Sequence, residues 1–333
     1  MLVSALGLVV HTGKARAVAA GQTVRQWAAE HDIRCTEIDV WSASKTDGRL
    51  TAAAEAARAG LPELVVTVGG DGTFLRGARV AAKIGAAILG VDVGRVGFLT
   101  ETQVEAIPTA LDAVLDGRFS VDERFMLTLC ASRPLTIPPG IEALLRYGRG
   151  PTLPPPPVRD RHPVDPAAGV PLDILALNDV VFEKLARDRQ ASVAVFVNGK
   201  HFASYSADAV IVSTPTGSTA YSFAAGGPLL SPQMDGLVFT PVAPHMSFNR
   251  SLVLGAEERI AVQVLESSGQ VAVSVDGALR GVLDPGDWIS VHAGAPRSRL
   301  VRLDDIDFLS RVRTKLGLAD ATAALADQLP PGM

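Results

Sequence analysis

From the start of the chain to about Gly117, short apolar runs alternate with alanine-rich stretches of helical length. The runs Leu2–Val10, Ile33–Trp41, Leu64–Val68 and Ala86–Val91 predict strands, and Ala15–Glu30, Thr51–Ala59, Thr73–Lys83 and Val104–Leu115 predict helices. Unbroken apolar strands alternating with helices are expected of a parallel sheet covered on both faces. Beyond about Ser120 the helical signal fades. Strand-like runs recur at Met126–Cys130, Ala176–Phe182, Val193–Val197, Ala209–Ser213, Leu237–Pro241, Ile260–Leu265, Val271–Val275 and Trp288–His292. Asn198-Gly199 predicts a hairpin, because both central positions of a type I′ turn need positive φ. After Asp305 the helical period returns, with Ile306, Leu309, Val312 and Leu316 on one side.

The pattern thus predicts an α/β N-terminal domain with a parallel sheet over 1–119 and a mostly β C-terminal domain over 120–304. A C-terminal helix over 305–318 is expected to return to the N-terminal domain, and 319–333 to be a frayed tail. Pro134–Pro171, with a run of four prolines and few patterned apolar residues, reads as a flexible, partly extended insertion. A length of 333 residues is enough for two domains with a core each.

Composition narrows the function class. A net charge of −4 gives no broad attraction to nucleic acid or to an anionic membrane surface. No stretch approaches the roughly 18 apolar residues that span a bilayer, so neither a nucleic-acid nor a membrane partner is expected. The two cysteines, Cys35 and Cys130, form neither a disulfide framework nor a metal-ligand spacing, which suits the cytoplasm. The six histidines lack ligand or triad spacing, and none is assigned a catalytic role.

The sharpest chemical signal follows the strand Leu64–Val68. Gly69-Gly70-Asp71-Gly72-Thr73 leads directly into a helical segment. Glycines let backbone N–H groups approach phosphate oxygens, and a helix start adds unpaired donors and partial positive charge. Gly69, Gly70, Gly72 and Thr73 are therefore candidate phosphate contacts, although glycine turns after a strand also serve chain reversal alone. Arg76, one turn on, is either a further phosphate contact or a solvated helix arginine. Asp71 argues for chemistry, since a carboxylate in a phosphate-binding turn is unfavourable unless a metal ion or a proton-transfer task compensates. The loop has neither the P-loop nor the dinucleotide-binding glycine pattern.

In the second half, Thr214 to Ser222 gathers hydroxyl residues around Pro215 and Gly217; it offers adaptable donors and acceptors to a polyhydroxylated ligand, or is a Ser/Thr-rich surface turn. Tyr221 either caps a base or is simply packed. Asn178 has the donor and acceptor pattern of an adenine partner, and Asp179 can accept from ribose hydroxyls, although the pair alone reads equally as a turn.

The GGDGT loop resembles that of a broad kinase group, and five further segments narrow the resemblance to the NAD kinase family. They are Gly90 to Thr100 (GVDVGRVGFLT), Leu177-Asn178-Asp179-Val180-Val181, Asp208 followed by Thr214 to Ser222 (TPTGSTAYS), Thr240 to His245 (TPVAPH) and Ser274-Val275-Asp276-Gly277. Asp179 stands where that family usually has Glu. The resemblance implies transfer of a phosphate from ATP or polyphosphate, with Mg²⁺ or another divalent cation, to the adenosine-ribose 2′-hydroxyl of NAD. It implies Asp71 as the base. Asn178 and Asp179 are implied to hold the adenosine part, with Thr216, Thr219, Ala220, Tyr221 and Ser222 lining that pocket. Asp208 is implied on the nicotinamide side, Asp71 and Gly72 as further NAD contacts, and Ala243 as a backbone contact. No residue is assigned as a direct metal ligand. The implied assembly is a homodimer or homotetramer. A GGDGT-type kinase with a lipid or nucleotide-like acceptor, or a non-catalytic NAD or NADP sensor, are the alternative readings.

Overall fold

The computed structural model describes residues 3–41, 60–94, 97–141, 143–144, 164–165, 169–185, 190–246, 248–294, 296–303 and 307–318. The first part of the chain forms β1 (Ala5–Val10), α1 (Ala15–Glu30), β2 (Arg34–Glu37), β3 (Leu64–Gly69), α2 (Asp71–Ile84), β4 (Ala87–Asp92), β5 (Thr102–Gln103), α3 (Ile107–Leu115) and β6 (Ser120–Arg124). Every residue of β1, β3 and β4 is buried, as a sheet covered on both faces requires. One cover consists of α1 and α3, where Ala17, Val24 and Trp27 meet Leu111 and Val114. Trp27 also donates its indole N–H to Asp112 at 2.8 Å. The other cover is α2, through Phe74, Leu75, Ala78 and Ala81.

The second part forms β7 (Leu127–Ala131), β8 (Val170–Ala176), β9 (Asp179–Lys184), β10 (Ala191–Val197), β11 (Lys200–Ala207), β12 (Ala209–Ser213), the short α4 (Tyr221–Ala224), β13 (Gly236–Val242), β14 (Leu252–Gly255), β15 (Ile260–Val264), β16 (Val271–Val275), β17 (Ala278–Leu283) and β18 (Trp288–Ala293). Two six-stranded sheets result, in the orders β11-β10-β15-β18-β7-β8 and β14-β13-β12-β9-β16-β17. Alternate residues of both, including Phe182, Tyr205, Phe239, Val273 and Ile289, interdigitate between them. The Asn198-Gly199 hairpin forms as expected, with Val197 opposite Lys200 and φ values of 50° and 75° at the turn.

The chain then returns. β19 (Ser298–Arg302) inserts into the first sheet, parallel to β4 and antiparallel to β6, giving the order β2-β1-β3-β4-β19-β6 with β5 on β4. α5 (Phe308–Leu316) follows. The crossing between domains therefore falls after Arg124 and before Ser298 rather than at 119 and 304. β19 carries Arg299 and Arg302 among its apolar residues, so it leaves no unbroken apolar run to read.

Three other expectations change. The run Ala176–Phe182 is divided between β8 and β9, which belong to different sheets, and the chain bends at Leu177-Asn178. The insertion is packed where it begins and ends. Ile141 is fully buried against Leu185, Ala272 and Val282, and the Thr136 carbonyl accepts from Val282 N at 3.0 Å along the edge of β17. On α5 only Val312 is buried, while Leu309 is 73% exposed. The expected helix at Thr51–Ala59, the tail 319–333 and Ile306 lie outside the described residues. Among the described residues no helix is long and apolar enough to cross a membrane.

Candidate active site

In the first sheet β1 connects toward β2 on one side while β3 lies on the other, so the carboxyl ends of β1 and β3 border a topological switch point, where ligands settle in open α/β sheets. The Gly69–Thr73 loop opens there. Gly70 has extended backbone and caps α2, accepting from Thr73 N at 2.9 Å and Phe74 N at 3.0 Å. The helix start and its partial positive charge are thus presented in the crevice.

Asp71 is the first residue of α2 and is half-buried. Its carboxylate accepts from the backbone N–H of Phe98 at 3.1 Å and of Leu99 at 3.3 Å. These two bonds aim the group while leaving lone pairs on both oxygens. A Cβ at Gly97 would collide with that carboxylate, so the loop approaches closely only because the position is glycine. Thr100 fastens the loop from below. Its hydroxyl accepts from Gly97 N at 2.6 Å and donates to Asp92 at 3.2 Å, and Asp92 also accepts from Gly94 N at 2.7 Å. Arg76 lies over the Trp41 ring, with the guanidinium carbon 4.5 Å from its centroid. The side chain is a stacked cation here rather than a freely solvated one.

Across the domain junction, Leu175, Leu177 and Met126 pack into the same core cluster as Phe74 and Leu75 of α2. This brings the Leu177–Asp179 bend to the back of the glycine-loop helix. The bend is held by Asp276, whose carboxylate accepts three consecutive backbone N–H groups: Leu177 at 3.0 Å, Asn178 at 2.7 Å and Asp179 at 3.2 Å. It is also held by Thr214, whose hydroxyl donates to Leu177 O at 2.5 Å and accepts from Gly217 N at 3.0 Å. A Cβ at Gly217 would strike the Asn178 carbonyl. Asp179 is 5% exposed, and burial first, then the Asp276 charge, pushes its carboxyl up to about 7. Burial also raises Asp276, while its three N–H donors favour the ionised form.

Beyond Asp179, Tyr221 is 43% exposed. Burial raises its hydroxyl, and Glu183, Asp208 and Asp179 raise it further, which puts three acids around one ring. Asp208 forms an ion pair with Lys184. Ser222 is fully buried and shares a 2.9 Å hydrogen bond with Thr240, so its hydroxyl holds α4 to the sheet. Thr219 donates to Thr216 O at 3.1 Å within a short 3-10 turn. Ala243 adopts a left-handed φ of 46°, unusual for alanine.

A cavity of about 1000 Å³ opens between the domains, lined among others by Phe98, Leu99, Thr216 and Thr219 and by Phe308 and Arg311 of α5. Asn178, Asp179, Asp208 and Tyr221 are not part of that wall. Pattern reading had singled out Asp71 but not the N–H groups of Phe98 and Leu99, nor Asp276, Lys184 and Glu183. The Asp276-Gly277 turn was the only visible signal among these, and it says nothing of what the carboxylate grips.

A glycine loop at a helix start, a carboxylate aimed by backbone N–H groups and a second, β-rich domain closing on it define a phosphotransferase acting on a small molecule. Residues 6–119 match the family model described as the ATP-NAD kinase N-terminal domain, and residues 177–303 match the ATP-NAD kinase C-terminal domain. The chain is 58% identical to NAD kinase 1 of Streptomyces avermitilis, over 98% of this chain and 91% of the relative. It is 37% identical to the NAD kinase of Moorella thermoacetica, over 76% and 71%. Among solved structures it resembles yeast NADH kinase complexed with NADH, with a TM-score of 0.72, 20% identity and coverage of 96% of this chain and 89% of that one. The chain belongs to the NAD kinase family.

Proposed function

We infer that the chain is an enzyme that phosphorylates NAD to NADP with ATP as donor, transferring the γ-phosphate to the 2′-hydroxyl of the adenosine ribose with Asp71 as general base. The observation that carries this reading is the Asp71 carboxylate at the start of α2, oriented by Phe98 N and Leu99 N beside a glycine loop. A ribose hydroxyl is a weak nucleophile at neutral pH, so an aligned proton acceptor contributes directly, while most of the acceleration comes from positioning and charge neutralisation.

Gly69, Gly70, Gly72 and Thr73 receive the triphosphate against the helix start. Asn178 pairs with the adenine edge and Asp179 meets the ribose hydroxyls, both on the bend that Asp276 holds. Thr216, Thr219 and Ala220 border the adenosine pocket. Tyr221 lines the adenosine pocket as well, Asp208, with its Lys184 partner, takes the nicotinamide side, and Ala243 offers its backbone. Ser222 contributes by anchoring α4.

Among the described residues no three acids, histidines or cysteines cluster as a metal cage. The residues present fit a magnesium ion that would be held mainly by phosphate oxygens and water, with no side chain of the chain as an assigned direct ligand. When bound, such an ion neutralises charge on the transferring phosphoryl group. Cys35 and Cys130 are free thiols, which suits a cytoplasmic enzyme. The functional form is a homo-oligomer.

The test is to incubate the pure protein with magnesium, ATP and NAD and to assay the product with an NADP-specific dehydrogenase. Magnesium-dependent formation of NADP is expected. NAD binding without NADP formation would replace the enzyme reading with that of a sensor.

A further inference from the structure

The loop that aims Asp71 is itself held from the far end of the chain. Glu101 follows that loop, and its side chain is 1% exposed. One of its oxygens accepts from Arg302 of β19 at 2.7 Å and from Arg311 of α5 at 2.7 Å, and the other from Leu303 N at 3.0 Å. Arg311 reaches past Glu101 to donate to the Thr100 carbonyl at 3.1 Å. A single peptide unit therefore lies between Leu99 N, which grips Asp71, and Thr100 O, which Arg311 grips. The side chain of Arg311 is 11% exposed although α5 buries only Val312 of its apolar residues. Beside Val312, this buried cation ties α5 to the 97–101 loop, one arm of its fork on the Thr100 carbonyl and the other on Glu101.

From this geometry we propose that Arg311 is a positioning residue for phosphoryl transfer: through Glu101 and the Thr100 carbonyl it fixes the 97–101 loop, and through that loop the Asp71 carboxylate. The proposal rests on Asp71 being the base. Removing Arg311 leaves Glu101 with Arg302 and Leu303 N, so the fold persists while the loop loses the Arg311 bonds to Thr100 O and Glu101. A proton acceptor displaced by about 1 Å costs about 10²-fold in rate. NAD contacts on the Asn178 side are built on separate bonds to Asp276 and Thr214 and do not depend on Arg311.

The experiment is a kinetic double-mutant cycle on the full chain, with Arg311→Gln, Asp71→Asn and the double variant, each verified as folded by circular dichroism. Arg311→Gln is expected to lower kcat about 10- to 100-fold with KM for NAD within about threefold, and Arg311→Lys, which keeps the charge but not the fork, to recover part of it. In the Asp71→Asn background the same substitution should cost far less, because the group it positions is gone. Equal factors in both backgrounds, or a change in KM alone, would overturn the proposal and leave Arg311 a packing residue. An undiminished rate in Asp71→Asn alone would instead remove the base assignment. If Arg311→Gln does not fold, Glu101→Gln cuts the same chain from the other side and is expected to show the same non-additivity.

Discussion

Asp179 and Asp276 stand side by side in the second half of the site, and their difference in hydrogen bonding makes a residue-scale prediction. The folded chain holds the Asp179 proton up to about pH 7, chiefly because the group is buried, whereas the unfolded chain releases it near the ordinary aspartate value. A folded pKa above the unfolded one means that stability from this group is full in acid and declines as pH rises toward 7. Asp179→Asn removes that decline. Its melting temperature relative to wild type should therefore rise steadily between about pH 4 and pH 7 and level off above. A difference that stays constant across that range would mean that Asp179 ionises normally. Asn178 and Asp179 were legible in the chain as a donor–acceptor pair. The three N–H bonds that set their geometry were not, because Asp276 lies almost a hundred residues on and its spacing to the bend carries no period.

At the scale of the element, the insertion gives the clearest test. Its low-complexity composition reads as loose chain, and composition is blind to a single side chain seated in a pocket. Ile141 is fully buried against Leu185, Ala272 and Val282, and Thr136 pairs with the edge of β17. Ile141→Ala is expected to destabilise the protein by about 2–5 kcal/mol, the range for emptying a closed apolar site, as read by urea unfolding. Replacing residues 146–166 with a short glycine linker, by contrast, is expected to leave the midpoint nearly unchanged, because loop length enters the stability only weakly. A neutral Ile141→Ala would show that this segment does not seal the β17 edge. β1, β3 and β4 of the parallel sheet were readable because each is a nearly unbroken apolar run, and the hairpin because Asn-Gly demands positive φ. β19 was not, since its arginines serve the Glu101 cluster and the Glu123 side rather than a core.

For the molecule as a whole, the β-rich domain offers the surface on which copies of the chain should meet. Phe202 on the edge strand β11 is 41% exposed, and it forms an edge-on pair with Phe248, 38% exposed, at 6.0 Å. An edge strand carrying exposed aromatics is a site that association covers. Light scattering at micromolar concentration is expected to give a mass of two or four chains, and Phe202→Asp to shift it toward the 34.8 kDa monomer. A monomer in the wild type at all concentrations would contradict this. Two domains and their order could be read from periodicity, but the closure of one on the other could not. It depends on β19 and α5 returning across the sheet, a long-range pairing that leaves no local mark.

The central claim is that Asp71, set at the junction of the two domains, performs proton transfer. Asp71→Asn preserves size and shape; Phe98 N and Leu99 N bond different carboxylate oxygens, so one of them keeps the amide oxygen and the other loses its acceptor, a local cost that the fold survives. Turnover and NAD affinity should be measured on the same folded sample. The account predicts a fall in NADP formation of about 10²- to 10⁴-fold, the usual cost of losing a positioned acid–base group, with NAD affinity changed by only a small factor. Unchanged turnover in Asp71→Asn would contradict it.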